Sequence, residues 1–276
     1  MDRNILIIAG EPSGDQRASE LIKELKPLTP GFSFWGFGGD LLEKEGVELI
    51  EHVRDLSLVG VWEVIKNLGK IYAQYKHLVK NIDRRKPSLA ILIDYPGFNL
   101  KIAKTLKKKN IPVIYYIIPQ VWAWDKKRVY TLKKYTDEIL VIFRFEQTFL
   151  KKYDVNCTFV GHPLVDTALK LKNLSVLGNE TAQSNNKKLC LALLPGSRKH
   201  EIDYLLPTML QAADNIHKEI PATTFMIAEN SNLDKSLYDS CLDKYVSLPV
   251  ERVRNNTFGV LEKCDFAVVA SGTATL

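Results

Sequence analysis

The sequence has few cysteines and no long apolar run, and both shortages narrow the class of protein. Its four cysteines are widely spaced and form no C-x-x-C pair: Cys157, Cys190, Cys241 and Cys264. Zinc binding or a disulfide framework is therefore not expected. A run of about 18 apolar residues, the length that spans a bilayer, is also missing. The short apolar segment after the N-terminus lacks the length and cleavage site of a signal peptide. These absences predict a cytoplasmic protein with no metal and no transmembrane helix.

The composition is that of a globular chain, and its positive charge is uneven. Hydrophobic residues make up 46% and charged residues 25% of 276 residues, enough for one large domain or two ordinary ones. Residues 101–134 contain ten basic side chains and one acidic one, Asp125. Such a surface can bind phosphates or anionic lipid, or it can be a set of solvated lysine faces. No nucleic-acid-binding motif accompanies it, so no nucleic-acid partner is expected.

Short apolar runs alternate with helical patterns along the chain. The runs predict strands at 4–9, 32–37, 88–93, 112–118, 138–143 and 158–160, and helices at 15–26 and 100–109. After a polar stretch at 174–186, further strands are predicted at 189–194, 224–228 and 266–270, with a helix at 202–219. This alternation predicts an α/β fold with two doubly wound domains, 1–173 and 187–276, joined by a linker. Three strands are fewer than such a domain usually has, so we expect the second domain to be truncated.

The residues with distinctive chemistry follow the predicted strands. Ligands of open α/β sheets bind beyond the carboxyl ends of the strands. Six loops lie at such ends: 10–15, 94–99, 119–124, 161–163, 195–198 and 271–274. They predict a ligand cleft between two domains.

Each loop of the first domain has a functional and a structural interpretation. The backbone of loop 10–15, which contains Glu11, Ser13, Gly14 and Asp15, can bind an anion or sugar hydroxyls, or it can be a tight turn with Asp15 capping the helix. Asp94 can be a general base or a helix cap.

The next two loops carry aromatic and polar side chains. Trp122 and Trp124 can stack on a sugar or acyl chain, or fill the core, and we include Gln120 of the same loop with the substrate-binding residues. His162 can bind substrate or hydrogen-bond the backbone.

Two loops of the second domain suit a phosphate. Gly196 permits close approach of the backbone, Ser197 offers a hydroxyl, and Arg198 is the forked donor that suits a diphosphate. Ser271, Gly272 and Thr273 can donate further hydrogen bonds. Neutralising a leaving diphosphate is what a metal-independent sugar transfer requires.

Taken in order, these loops and their flanks resemble lipid-A-disaccharide synthase over essentially the whole chain. The matching segments are 9–15, 36–39, 93–99, 119–124, 159–164, 193–198 and 271–274. The resemblance implies an inverting glycosyltransferase of the GT-B type with two Rossmann-like domains. It also implies transfer of diacylglucosamine from UDP-diacylglucosamine to diacylglucosamine 1-phosphate, at the cytoplasmic leaflet of the inner membrane, without metal or cofactor.

The resemblance also implies roles for particular residues. Asp94 matches the family's essential aspartate, the candidate base for the acceptor 6-hydroxyl, and Arg198 matches an arginine expected at the UDP diphosphate. Loop 10–15 matches the family's acceptor loop. The family continues past Leu276, so we expect an incomplete donor site in this chain.

An apolar segment with interleaved lysines, 56–79, fits a lipid substrate. Its N-terminal part is apolar before a helical pattern begins, and we expect Val61, Trp62, Ile65 and Leu68 to contact lipid, which would make the protein peripheral on the membrane. The commoner alternative is an amphipathic helix packed on the sheet.

Two other functions remain open at this stage. One is another GT-B nucleotide-sugar enzyme, either an epimerase or a transferase with a soluble glycan acceptor. The other is an inactive truncated fragment that binds lipid or sugar phosphate.

Overall fold

A computed structural model describes residues 3–56, 68–123, 125–176, 188–231 and 233–271. The chain forms two compact units, Met1–Pro163 and Leu164–Leu276, here called the N-terminal and C-terminal units. The predicted linker 174–186 starts within the helix Pro163–Val176, and the remainder of it lies outside the described residues.

The described part of the N-terminal unit contains a sheet of seven parallel strands. In chain order they are β1 (Asn4–Ala9), β2 (Ser33–Gly38), β3 (Glu48–His52), β4 (Leu89–Ile93), β5 (Val113–Tyr116), β6 (Glu138–Val141) and β7 (Thr158–Phe159). Their spatial order is β3-β2-β1-β4-β5-β6-β7. Because β1 and β4 are central and covered on both faces, they are the almost uniformly apolar runs that the sequence displays.

Helices connect these strands and cover the sheet. They are α1 (Pro12–Leu28), α2 (Asp40–Lys44), α3 (Val53–Leu56), α4 (Leu68–Arg85), α5 (Pro96–Lys108), α6 (Arg128–Tyr135) and α7 (Arg144–Lys151). Two apolar clusters result, one on each side of the sheet. Leu6 and Ile8 of β1 belong to the larger cluster, while Ile5 and Ile7 point to the other, as the two-residue period of a strand requires.

The winding of the sheet reverses between β1 and β4. The chain runs outward from β1 to β3, returns to β4 on the other side of β1, and continues outward, so the winding reverses between these two strands. Doubly wound proteins bind their ligands beyond the carboxyl ends of the strands at this reversal. Glu11 follows β1 and Asp94 follows β4, so both lie at this position.

The C-terminal unit repeats the pattern on a smaller scale. Its described strands are β8 (Leu189–Leu194), β9 (Thr223–Glu229), β10 (Val250–Arg254) and β11 (Phe266–Val269), all parallel, in the order β10-β9-β8-β11. Its helices are α8 (Pro163–Val176), α9 (Lys199–Glu219), α10 (Lys235–Leu242) and α11 (Thr257–Lys263). The winding reverses between β8 and β11, so the residues after these two strands share one edge of the sheet.

Two strands were missed by the sequence analysis, β3 and β10. Both lie at sheet edges and are rich in charged residues, with sequences ELIEH and VERVR and no fully buried side chain. An edge strand loses the apolar pattern because one side of it faces solvent. The count of three strands in the second unit is therefore wrong, since its described residues form four.

No described helix is both long enough and apolar enough to cross a membrane.

Candidate active site

Three hydrogen bonds to the main chain of Asp94 hold this residue at the end of β4. Its N–H donates to the Tyr116 carbonyl (3.1 Å), and its own carbonyl accepts from the Tyr115 hydroxyl (2.7 Å) and the Asn99 Nδ2 (2.8 Å). Asp94 and Tyr95 both have left-handed backbone conformations, with φ of 46° and 47°. Such conformations are unfavourable for bulky residues such as Tyr95 and uncommon for aspartate, so they persist here because the surroundings fix them. Helix α5 begins after Tyr95 and has no side-chain cap, which removes the interpretation of Asp94 as a helix cap.

The surroundings of Asp94 raise the pKa of its carboxyl from 3.8 to about 6. Burial is the largest cause, because it disfavours the charged form, and the nearby Glu11 carboxylate adds to the rise. The Tyr95 N–H opposes both by hydrogen-bonding the carboxylate. A carboxylate with a pKa near neutrality accepts a proton more readily than an ordinary aspartate, as a general base must.

A cleft of about 440 Å³ opens beside Asp94, within the range of small-molecule pockets. The residues lining it come from the ends of β4, β5 and β6: Asp94, Pro96, Ile117, Ile118, Pro119, Gln120, Val121, Asp125, Arg128, Ile142, Phe143 and Glu146. Gln120, one of the predicted substrate-binding residues, lines this cleft. Seven of the twelve lining residues are apolar, and the other five bring a carboxamide, three carboxyl groups and a guanidinium to the cleft.

An aromatic cluster stands at one side of this cleft. Phe143, which lines the cleft, stacks on Phe145 at 5.5 Å and lies 5.3 Å from the ring of His162. Trp122 meets Phe145 edge to face at 5.1 Å. The predicted binding residues Trp122 and His162 thus belong to an aromatic cluster that contacts the cleft at Phe143. Phe143 and Phe145 were not predicted.

Two ionisable groups of this cluster have shifted pKa values. Burial lowers the pKa of His162, and the charge of Arg17 lowers it further, so the imidazole is neutral at pH 7. Burial raises the pKa of Glu146, which is 3% exposed and accepts a hydrogen bond from the Phe143 N–H at 3.2 Å.

Asp15 does not cap helix α1, which was one of its two interpretations. Helix α1 begins at Pro12, so Asp15 lies inside the helix and does not cap it. Its carboxylate accepts hydrogen bonds from the N–H groups of Gly39 (2.7 Å), Leu41 (3.1 Å) and Leu42 (3.2 Å) at the start of α2. Both of its oxygens are engaged, and the residue is 4% exposed. Asp15 therefore fixes the turn after β2, and its predicted contact with substrate stays a prediction.

The remaining residues of loop 10–15 differ in how tightly they are packed. A Cβ on Gly10 would lie 2.2 Å from the Tyr95 ring, so glycine is required for the ring to cover the end of β1. A Cβ on Gly14 would meet only ordinary contacts, the nearest at 3.5 Å. Ser13 is exposed at the start of α1, and Glu11 is close enough to Asp94 to raise its pKa.

In the C-terminal unit, loop 195–198 follows β8 and leads into α9. Gly196 has φ of 111°, and a Cβ there would lie 2.3 Å from the Glu201 Oε2. That oxygen accepts hydrogen bonds from the N–H groups of Ser197 (2.7 Å) and Arg198 (3.0 Å). The glycine is thus explained by Glu201, and the backbone donors expected to bind a phosphate are already used. The Arg198 side chain, 64% exposed and 3.9 Å from Glu201, is accessible to a diphosphate, and Ser197 is exposed too.

The second predicted phosphate loop begins beside the first. The Ala270 N–H donates to the Leu194 carbonyl at 2.8 Å, which brings exposed Ser271 next to loop 195–198. Asn230, after β9, donates from its side chain to the Ser197 carbonyl at 3.3 Å and was not predicted. Gly272 and Thr273 lie outside the described residues.

Several other predicted residues also lie outside them. Val61, Trp62 and Ile65 are not described, nor are Trp124 and the side chain of Leu68 at the first position of α4. Their lipid-contact and stacking roles stay predictions. Within the described ranges, no group of three or more histidine, cysteine, aspartate or glutamate residues is arranged to hold a metal ion.

The fold is that of the GT-B class, with an acid at one winding reversal and an arginine at the other. Solved structures with this fold include the UDP-GlcNAc 2-epimerase of Neisseria meningitidis, with a TM-score of 0.63 at 12% identity, covering 98% of this chain and 78% of that one. A glycotransferase of kitacinnamycin is similar, with a TM-score of 0.61 at 14% identity, covering 99% and 76%. At such identities the likeness shows the fold alone.

Sequence comparison is more specific. The model of the lipid-A-disaccharide synthetase family matches residues 5–276. The lipid-A-disaccharide synthase of Syntrophus aciditrophicus is 39% identical over 276 residues, covering 99% of this chain and 71% of that protein. The one of Myxococcus xanthus is 38% identical over 272 residues, covering 99% and 70%. The chain belongs to the lipid-A-disaccharide synthetase family, which confirms the resemblance drawn from its motifs and makes it a glycosyltransferase.

Proposed function

We propose that this protein transfers diacylglucosamine from UDP-diacylglucosamine to the 6-hydroxyl of diacylglucosamine 1-phosphate, forming the lipid A disaccharide 1-phosphate and UDP. Family membership supports the coarser statement, a UDP-sugar donor and a sugar-phosphate acceptor. The observation that carries the proposal is the position of Asp94, a buried carboxyl at the end of β4 that lines a cleft with both apolar and charged side chains; burial raises its pKa to about 6.

Asp94 is the general base of the proposed reaction. Its carboxylate removes the proton of the acceptor 6-hydroxyl as that oxygen attacks C1 of the donor sugar. The new C1–O6 bond forms on the face opposite the leaving group, so the configuration at C1 inverts. The buried hydrogen bonds around the Asp94 backbone keep the carboxylate in place during the transfer.

The leaving group is UDP, which takes the electron pair of the broken C1–O bond. The Arg198 guanidinium would balance the charge that develops on its diphosphate, since it is exposed and its fork matches phosphate oxygens. Ser271, at the neighbouring strand end, is placed to donate a further hydrogen bond. No metal or cofactor is part of this proposal.

The diacylated substrates imply contact with the cytoplasmic leaflet of the inner membrane. Support within the described residues comes from α4 and α5, where Tyr72 is 52% exposed and Lys76 and Lys101 lie 4.6 and 5.9 Å from the centre of its ring. Exposed aromatic rings surrounded by lysines are typical of surfaces that meet anionic lipid.

Exchange of Asp94 for asparagine tests the role of the base. Asp94→Asn should lower turnover about a hundredfold or more, because the amide cannot accept the proton. Asp125→Asn is the matched control, since it removes a carboxylate that lines the same cleft. Turnover is measured as the rate of UDP release. Near-normal turnover of Asp94→Asn, or an equal loss in both variants, would exclude Asp94 as the base.

A further inference from the structure

Arg128 lines the cleft beside Asp94 and is the basic side chain among its lining residues. It occupies the first position of α6. In the sequence, Arg128 is one of the ten basic residues of the stretch 101–134. Its position in the cleft separates it from neighbouring Lys126 and Lys127, which are exposed and do not line the cleft.

Stability of the fold does not explain this arginine. Its side chain is 43% exposed, and its one ion pair with a described residue joins its Nε to the Asp125 Oδ2 at 3.2 Å. Half-exposed pairs of this kind contribute at most about 1 kcal/mol. The first turn of a helix also disfavours a cation, because the unpaired N–H groups there carry partial positive charge.

The Asp125 contact engages only one edge of the guanidinium. It occupies the Nε edge and leaves the two terminal nitrogens of the fork for another partner. Arg128 is within electrostatic range of the end of β4, because its charge opposes the rise in the pKa of Tyr115, whose hydroxyl donates to the Asp94 carbonyl. Ile118 and Val121 line the same cleft and give it apolar surface beside the cation.

We propose that Arg128 binds the phosphate of the sugar-phosphate acceptor and so selects acceptors that carry one. This inference rests on the proposed function, which gives the acceptor a phosphate at one end and the reacting hydroxyl at the other. The cleft offers matching groups, a forked cation and a carboxylate base. Binding of the phosphate by Arg128 would turn the hydroxyl toward Asp94 and would disfavour the reversed orientation.

Binding of two probes to the purified chain tests the inference. The probes are diacylglucosamine 1-phosphate and diacylglucosamine without phosphate, both in neutral detergent micelles, and Trp122 provides a fluorescence signal at the side of the cleft. The unaltered chain should bind the phosphorylated probe at least about tenfold more tightly. Arg128→Ala should weaken binding of that probe about 10- to 100-fold and leave binding of the other unchanged. Arg128→Lys should keep part of the preference, because it keeps the charge without the fork.

Two controls separate this role from general charge and from loop structure. Lys127→Ala removes an equal charge at an exposed neighbouring position and should keep the preference for the phosphorylated probe. Asp125→Ala removes the ion-pair partner and should also keep it. The inference is overturned if the preference survives Arg128→Ala, if both probes lose affinity equally, or if either control abolishes the preference. If Arg128→Ala does not fold, the Arg128→Lys variant provides the test. A preference for the phosphorylated probe that Arg128→Lys retains in full would contradict the inference. Absence of binding by the unaltered chain also overturns it.

The binding test does not depend on turnover. Selective binding without sugar transfer would support Arg128 as the phosphate ligand while refuting the proposed reaction. Sugar transfer without selective binding would support the proposed reaction and refute Arg128 as the phosphate ligand.

Discussion

The raised pKa of Asp94 has a consequence for stability that is independent of catalysis. Burial and Glu11 raise this pKa from 3.8 to about 6, so the folded state holds its proton up to a higher pH than the unfolded state does. A carboxyl with a raised pKa contributes stability below its unfolded value, and that contribution is lost as pH rises toward the folded value. At neutral pH the ionised Asp94 therefore destabilises the N-terminal unit. The difference between the folded pKa of about 6 and the ordinary value of 3.8 corresponds to a loss of at most about 3 kcal/mol in the free energy of unfolding.

Asp94→Asn should therefore stabilise the protein while it removes activity. The gain in the free energy of unfolding should reach about 3 kcal/mol at pH 8 and fall to about half of that at pH 5. Asparagine also tolerates the left-handed backbone at this position, but that benefit is the same at every pH. The change with pH is thus the part due to the buried charge.

Denaturant unfolding followed by tryptophan fluorescence measures this gain. All four tryptophans, at positions 35, 62, 122 and 124, lie in the N-terminal unit, so the signal reports the unit that contains Asp94. Asp125→Asn is the control and should show little change with pH, because this carboxylate is 44% exposed. An Asp94→Asn gain that is equal at the two pH values, or a loss of stability at pH 8, would refute the reasoning.

Four further predictions concern other residues of the two clusters. The acidic limb of turnover should fall near pH 6, since the ionised form of Asp94 is needed, and Glu11→Gln should move it to lower pH by removing a repulsive charge; a limb that does not move would contradict this. Gly10→Ala should destabilise the N-terminal unit because its Cβ would overlap Tyr95, whereas Gly14→Ala, within α1, should be neutral or stabilising by up to about 1 kcal/mol in thermal unfolding. Asp15→Ala should lower the free energy of unfolding by about 2 kcal/mol or more, because three N–H groups lose their acceptor, and an unchanged value would count against that role. Arg198→Ala should weaken UDP binding about tenfold or more in calorimetry, and an unchanged affinity would remove Arg198 from the donor site.

The sequence was informative where the structure follows a rule of the whole fold class. Strands 4–9 and 189–194 coincide with β1 and β8, because central parallel strands must be apolar on both faces. Asp94 was found for a related reason: a polar residue directly after such a strand lies at the ligand edge. The same rule could have found Phe143 and Glu146, which follow β6 and were passed over because they form no motif.

Three residues, Asp15, Glu201 and Arg128, have contacts or positions in the structure that were not predicted. The Asp15 carboxylate binds N–H groups that are 24 or more positions away, and no local pattern shows that Gly39 receives it. Glu201 is only three positions after Arg198, and its spacing is that of a helix-capping residue, so its hold on loop 195–198 was visible in the sequence. Arg128 was hidden by its basic neighbours, because charge counts do not show which side chain faces a cleft.

Product analysis tests the central claim most directly. The chain is incubated with UDP-diacylglucosamine and diacylglucosamine 1-phosphate, and the lipid products and UDP are identified by mass spectrometry, with Asp94→Asn as the control. We predict a disaccharide 1-phosphate and UDP in equal amounts, both absent from the control. A UDP-sugar altered at C2 without any need for the acceptor, or a disaccharide formed equally well by Asp94→Asn, would contradict the claim that Asp94 drives a sugar transfer.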